Sequence, residues 1–142
     1  MSTHIDPRGP RFNAALTSVV LVATLSTHGT VQAVLAGIQA ALFAWGAFLG
    51  IQHTPAAFLF KRVVRPRLGP PAELEDAAGP RFSQLVGFLF LAPAFLSFAL
   101  GAPIVGLVLT GFALVAALLN ALFNYCLGCE LYLILKRLQP AH

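Results

Sequence analysis

The stretch PIVGLVLTGFALVAALLNALFNY, Pro103–Tyr125, carries no charged residue and is about as long as the roughly 20 residues that cross a bilayer core. It shows no alternation of apolar and polar residues, so it predicts a helix and not a strand. The whole chain shares this character, because its 142 residues are 58% hydrophobic and 10% charged, with a mean hydropathy of +0.81. A soluble domain is about 25% charged. The composition therefore predicts an integral membrane protein.

Three further uncharged stretches have a similar length: FNAALTSVVLVATLSTHGT at 12–30, VQAVLAGIQAALFAWGAFLGIQ at 31–52 and FSQLVGFLFLAPAFLSFAL at 82–100. The turns within each pair of stretches are so short that we expect tight helical hairpins. The sequence thus predicts an all-α integral membrane protein, a four-transmembrane-helix bundle in a single domain over residues 1–142. We expect a first hairpin at about 12–52, an interfacial segment with a loop at about 53–81, and a second hairpin at about 82–137.

The charged residues predict the orientation. All nine Lys and Arg residues lie near the N-terminus, in the central loop or in the C-terminal tail, and none lies in the two short turns. The positive-inside rule then places both termini in the cytoplasm. Because the basic residues cluster at the ends of apolar runs, we expect a lipid bilayer and not nucleic acid as the partner of this basic chain.

The tetrapeptide GPRF occurs twice, at Gly9–Phe12 and Gly79–Phe82, and each copy opens an apolar helix. The second helix of each half also ends alike, with FLGIQ at 48–52 and CLGCE at 126–130. These matches predict two repeated helical hairpins, related by a pseudo-two-fold axis along the membrane normal. The repeat also argues against a cleaved signal peptide at the first stretch. We expect the arginine of each copy to reach lipid phosphate groups.

The two cysteines, Cys126 and Cys129, are followed directly by Glu130. In a helix that continues from Pro103 to Arg137, these three side chains share one face at the cytoplasmic edge of the hydrocarbon core. Cysteines three residues apart can cycle between dithiol and disulfide. Far from a helix amino end and beside an acid, the thiols are poorly activated, so we assign Glu130 the role of proton acceptor. The three residues are the candidate catalytic group.

The repeat adds two neighbours to this group. It aligns the end of the second helix with the cysteine segment, so that Gln52 falls opposite Glu130. If the second and fourth helices face each other across the axis, Gln52 and His53 approach the thiol pair from the first hairpin.

Other interpretations of the cysteine pair remain open. Free cysteine is a small hydrophobic residue, and two can occur in one apolar helix for packing alone. A metal site needs more ligands than one pair, and although His4, His53, Glu130 and His142 are available, no histidine spacing supports one, so we predict no metal. A structural disulfide is not expected on the reducing cytoplasmic side.

Three motifs resemble a family of small four-helix membrane proteins, domain of unknown function 4395, common in actinobacteria. They are IDPRGPRFNAA at 5–15, VRPRLGPPAELEDAAGPRFSQLVG at 64–87 and CLGCELYLILKR at 126–137. The resemblance covers nearly the whole chain and implies a multi-pass protein of the bacterial plasma membrane without an assigned activity. It also implies a cytoplasmic thioredoxin-like or rhodanese-like partner, because relatives are encoded beside such proteins. The architecture is similar to four-helix membrane thiol oxidoreductases that use quinone, although those enzymes carry a second cysteine pair.

Three functions follow as hypotheses, and the sequence leaves open whether the protein is an enzyme. The first is a membrane-embedded thiol protein that exchanges electrons or sulfur with a thioredoxin-like or rhodanese-like partner, with a quinone as a candidate electron acceptor and no cofactor required by the sequence. The second is a non-catalytic membrane scaffold or assembly subunit. The third is a small-molecule carrier that works as a homo-oligomer.

Overall fold

A computed structural model describes residues 4–5, 8–50, 53–68, 75–76, 78–123 and 127–138. These residues are almost entirely helical. The helices are α1 (Arg8–Ser26), α2 (Gly29–Phe48), α3 (Pro55–Leu59), a π-helical turn (Phe60–Val64), α4 (Arg65–Leu68), α5 (Ala78–Ala99), α6 (Pro103–Phe123) and α7 (Leu127–Leu138). Two short strands, β1 (His4–Ile5) and β2 (Glu75–Asp76), pair antiparallel and join the segment before α1 to the segment before α5.

Tight turns connect α1 to α2 and α5 to α6, as the sequence predicts. Each turn contains a glycine with positive φ, Gly29 at 67° and Gly101 at 85°, a backbone conformation that glycine adopts without steric cost. The second turn is also fixed by Ser97, whose hydroxyl donates to the carbonyl oxygen of Ala102 and accepts from the N–H of Gly106. These bonds satisfy backbone groups that helix ends leave without partners.

The four long helices form a ring in which α1 contacts α2 and α6, and α5 contacts α2 and α6. The buried core lies between them and contains Leu21, Ala36, Ala40, Phe43, Leu91 and Ala94. Close approach of α2 and α5 depends on two glycines. A Cβ on Gly46 would lie 2.7 Å from Oε1 of Gln84, and a Cβ on Gly87 would lie 2.8 Å from the ring of Phe43.

The outer surface of the ring is apolar. Three helices are long and apolar enough to cross a membrane: Gly29–Phe48, Gly79–Ala99 and Pro103–Phe123. Only 11% of the apolar window of α5 and of α6 is buried within the protein, so most of that surface faces outward and requires a lipid environment. The protein is therefore a helical membrane protein. The fourth predicted span, α1, is less apolar, since its first turns carry Arg8, Arg11 and Asn13.

The central segment differs from the expectation in two ways. Phe60 belongs to the predicted interfacial segment, but it is buried and its ring lies 5.7 Å from that of Phe12 on α1. Helical structure also continues past Pro66 to Leu68, within the segment for which the sequence predicts a loop. A proline inside a helix lacks an N–H and crowds the carbonyl group four residues earlier. The π-helical turn before α4 widens the backbone at this place.

The expectation of one continuous helix from Pro103 to Arg137 is wrong. The structure has two helices, α6 ending at Phe123 and α7 beginning at Leu127. α6 runs antiparallel to α5, to which it is joined by a tight turn. α7 packs on α5 and runs in the same direction as α5, opposite to α6. Cys129 contacts Gly79, and three residues later the ring of Tyr132 lies 5.7 Å from that of Phe82.

The buried threonines offer a matched test of this packing. Thr110 on α6 is fully buried, and its Oγ1 has no hydrogen-bond partner in the described part of the chain. Thr24 on α1 is equally buried, but its Oγ1 donates to the carbonyl oxygen of Val20 at 2.8 Å. We expect Thr110→Val to stabilise the protein by about 1 kcal/mol, because it removes an unsatisfied hydroxyl without a change of shape.

The measurement is thermal unfolding of the purified protein in one detergent. Thr24→Val is the control, and its midpoint should equal or fall below that of the wild type. A Thr110→Val midpoint no higher than that of Thr24→Val would contradict the assigned packing of α6.

Candidate functional site

Cys129 is the third residue of α7 and packs against the first turn of α5. A Cβ on Gly79 would lie 3.4 Å from both Cβ and Sγ of Cys129, so the glycine provides the surface on which the cysteine rests. The side chain is half-buried. Because α7 begins at Leu127, Cys129 lies in a first helical turn and not late in a long helix. A helix amino end favours a thiolate, which removes one reason given above for a poorly activated thiol.

The sulfur of Cys129 is in a disulfide bond, and no free cysteine occurs among the described residues. Cys126, the other predicted thiol, lies outside the described residues. The predicted grouping of both cysteines with Glu130 therefore stays a prediction.

Glu130 is exposed and follows Cys129 in the first turn of α7. A carboxylate in the first turn of a helix is stabilised by the partial positive charge of the amino end. Lys136 and Arg137 stand in the last turn, where the partial charge is negative. Glu130 therefore has a structural role in α7, in addition to the proton transfer that the sequence predicts for it.

Of the two predicted neighbours, the structure describes His53 alone. Gln52 lies outside the described residues, and His53 is exposed just before α3. His53 and Glu130 both belong to the described part of the chain, and neither a hydrogen bond nor an ion pair joins them. Within the same part of the chain, no group of three or more His, Cys, Asp or Glu residues is arranged to hold a metal ion.

The arginines of the two GPRF copies make contacts that the sequence analysis did not anticipate. Nε of Arg81 donates to the carbonyl oxygen of Ala47 at 2.7 Å, and its Nη2 donates to that of Phe48 at 3.0 Å. Nε of Arg11 donates to the carbonyl oxygen of Ala121 at 3.0 Å. Each arginine thus caps the carboxyl end of the second helix in the other half. The expected reach of these side chains to lipid phosphate stays a prediction, and only the repetition of GPRF hinted at a shared role of the two arginines.

The phenylalanines of the same motif also make matched contacts. Phe12 packs on Phe60 with ring centroids 5.7 Å apart and planes inclined by 48°. Phe82 packs on Tyr132 with centroids 5.7 Å apart and planes inclined by 47°. In each case, the partner belongs to the short helical segment that follows the second helix of the same half. Cys129 is part of the second of these short segments.

These contacts place Cys129 at a defined end of the bundle. Its partner Gly79 begins α5, and the arginine contacts bring the start of α5 to the end of α2 and the start of α1 to the end of α6. The β1–β2 pair lies before α1 and α5 and joins the same end. The Lys and Arg residues all lie in the first turns of α1 and α5, in the segment between α2 and α5, or in α7, which are the parts of the chain that adjoin this end. We call it the basic end of the bundle, and Cys129 lies there.

The comparison with known families identifies the chain. The profile of a family described as "Domain of unknown function (DUF4395)" matches residues 5–137. The chain belongs to this family, and the resemblance seen in its three motifs is confirmed. No curated protein and no solved structure matches the chain.

The arginine caps generate a stability prediction. We expect Arg81→Met to destabilise the protein by about 1 kcal/mol, because two carbonyl groups at the end of α2 lose a charged donor at a partly solvated site. Arg11→Met removes one hydrogen bond and should have a smaller effect in the same direction. Thermal unfolding in detergent measures both.

Arg67→Met is the matched control, because Arg67 on α4 is exposed and outside the ring of long helices. Its free energy of unfolding should stay within about 0.5 kcal/mol of that of the wild type. Equal midpoints for all three variants would show that the caps contribute nothing to stability.

Proposed function

We propose that this member of the family is a membrane-embedded thiol protein that exchanges electrons or sulfur with a cytoplasmic thioredoxin-like or rhodanese-like partner. In this proposal, α1, α2, α5 and α6 all cross the bacterial plasma membrane as two repeated hairpins, and both termini are cytoplasmic. The observation that carries the proposal is the disulfide-bonded Cys129 at the basic end of the bundle.

The four-span repeat is supported by the matched contacts of the two halves. Arg11 and Arg81 cap each other's hairpins, and Phe12 and Phe82 pack on the short helices that follow. Such reciprocal contacts are expected of two halves related by a two-fold axis along the membrane normal. The start of α1 lies at the end of α6, and the two helices are in contact. If α6 crosses the membrane, this contact supports a crossing by α1 as well.

The proposed exchange conserves atoms and electrons. One thiolate of Cys126 or Cys129 attacks a sulfur of the partner's disulfide, a mixed disulfide forms, and the partner's other sulfur leaves as a thiolate. The second cysteine then displaces the partner, which is released as a dithiol while this protein holds the disulfide. Glu130 accepts a proton from the attacking thiol. With a persulfide partner, the thiolate takes the outer sulfur and the partner leaves as a thiolate.

A quinone is the proposed terminal acceptor for the electron-transfer version of this reaction. For this the exchange runs in the opposite direction: the partner's dithiol reduces the disulfide of this protein and leaves as a disulfide. The quinone would then reoxidise the resulting dithiol and take up its two electrons and two protons. The sulfur-transfer version needs no quinone, because the persulfide itself is passed on.

A membrane scaffold is the second candidate function. The observation that favours it is the exposed apolar surface of α7, which includes Leu131, Ile134, Leu135 and Leu138 in addition to the outer faces of the ring. A helix of this kind can lie in the interface or contact another membrane subunit. The two candidates differ in whether the cysteines are needed.

The thiol proposal predicts a trapped intermediate. In cells that express Cys126→Ser or Cys129→Ser, one of the two variants should accumulate a mixed disulfide with a partner protein, because the resolving thiol is missing. Acid quenching, maleimide labelling and a non-reducing gel measure this, and reductant should release the adduct. Cys126→Ser/Cys129→Ser is the control and should form no adduct. Thiols that stay fully reduced under oxidant, with no adduct in either single variant, would favour the scaffold.

The four-span proposal predicts that both termini share one compartment. A fluorescent protein fused before Met1 or after His142 should fluoresce in the cytoplasm, and alkaline phosphatase inserted at Gly101 should be active outside it. If α1 does not cross, the two terminal reporters will report opposite sides. A reporter after His142 that is active only outside the cytoplasm would overturn the proposed orientation.

A further inference from the structure

A cavity of about 330 Å³ lies between α1, α2 and the start of α3. Its walls are mostly apolar and include Leu16, Val20, Leu42 and Leu59. Small-molecule pockets measure about 300–1,000 Å³ and combine apolar walls with a few polar groups, so this cavity has the size and character of a small binding site.

Gln39 on α2 is a nearly buried polar residue of the cavity wall. Its side chain lines the cavity and is only 2% exposed, and its amide has no hydrogen-bond partner among the described residues. In the described part of the chain, Thr110 Oγ1 is the one fully buried side-chain N or O atom without a partner, so the amide of Gln39 is not sealed within the protein. A ligand in the cavity could therefore hydrogen-bond to it.

Gln32 on the same helix shows that this situation is specific to Gln39. Gln32 is 5% exposed, and its Nε2 donates to the carbonyl oxygen of Thr24 at 3.0 Å. It does not line the cavity. Two glutamines of one helix are therefore equally buried, and the one without an internal partner is the one that faces the cavity.

Asn13 and Thr17 on α1 form a second polar contact at the cavity wall. The hydroxyl of Thr17 donates to Oδ1 of Asn13 at 3.3 Å, which directs the carboxamide oxygen of Asn13 toward Thr17 and leaves its NH₂ group as a donor. Gln39 supplies both a donor and an acceptor. Among the described residues that line the cavity there is no Lys, Arg, His, Asp or Glu, so its polar groups fit a neutral ligand.

The cavity is positioned for access from lipid. Val19 and Leu16 line it and are 67% and 36% exposed on the outer surface of α1, which faces the bilayer in the proposed topology. A molecule dissolved in the membrane can reach the cavity between these residues without passing through the core.

We propose that this cavity binds a neutral, lipid-soluble molecule whose carbonyl or hydroxyl group hydrogen-bonds to the side-chain amide of Gln39. Its apolar body lies against Leu16, Val20 and Leu42. The site belongs to α1, α2 and α3 and contains no residue of α5, α6 or α7, so it does not depend on the reactivity of Cys129. Two sources of this chemistry exist in a bacterial membrane, a quinone ring and the ester or hydroxyl headgroup of a neutral lipid.

The test is equilibrium binding to the purified full-length protein in detergent with three probes. Decylubiquinone carries ring carbonyls, monodecanoylglycerol carries an ester and two hydroxyls, and decylbenzene carries an apolar tail alone. We expect saturable binding of one carbonyl probe at one molecule per chain, with decylbenzene showing only partition into detergent. Gln39→Leu should weaken the saturable binding about tenfold, or about 1.4 kcal/mol.

Gln32→Leu is the matched control and should bind like the wild type. A second pair guards against misfolding: Ala56→Phe fills the cavity and should abolish binding, whereas Ala57→Phe alters the neighbouring residue outside the cavity lining and should not. Decylubiquinone or monodecanoylglycerol as the bound probe identifies the source. Binding that is unsaturable, or unchanged in both Gln39→Leu and Ala56→Phe, would overturn the site, and the cysteine experiments would keep their own result.

Discussion

The carbonyl groups at the carboxyl ends of α2 and α6 must find donors, and this requirement organises the basic end of the bundle. The last four carbonyl groups of a helix have no partner within it. Here, Arg81 from the start of α5 reaches the end of α2, and Arg11 from the start of α1 reaches the end of α6. Each cap joins one half of the sequence to the other. The two halves are thereby held in contact at the end where the short segments α3 and α7 begin.

The sequence was sufficient for the features that depend on local composition. Apolar length predicted α2, α5 and α6, and the short turns at Gly29 and Gly101 follow from glycine in a positive-φ position. It was insufficient where tertiary contacts decide. Apolar residues continue from α6 into α7, so hydropathy gives no sign that α6 ends at Phe123. In the same way, an arginine at the end of an apolar run predicts a contact with lipid phosphate. Only the arrangement of the four long helices shows that Arg11 and Arg81 donate to backbone carbonyl groups.

The candidate site likewise has features that residue spacing predicts and features that only tertiary contacts determine. Spacing identified Cys126, Cys129 and Glu130 as a group, but spacing assumed a continuous helix and so placed Cys129 far from a helix amino end. The structure places it in the first turn of α7 on Gly79, a contact between residues 50 positions apart that no local pattern encodes. Gln39 was missed for a related reason. In the sequence it is one of several glutamines in apolar helices, and what distinguishes it from Gln32 is a cavity formed by α1 and α3.

The two halves share a framework but differ in what they place at the matched position. In each, the phenylalanine of GPRF packs on an aromatic ring of the short segment that follows, Phe60 in the first half and Tyr132 in the second. In the first half, that segment borders a cavity with an unpartnered amide; in the second, it carries the cysteine. The short segments thus have equivalent packing and different surroundings, because the first borders the cavity that Gln39 of α2 lines and the second carries Cys129. The division of a lipid-accessible cavity and a thiol between two such segments follows from that arrangement.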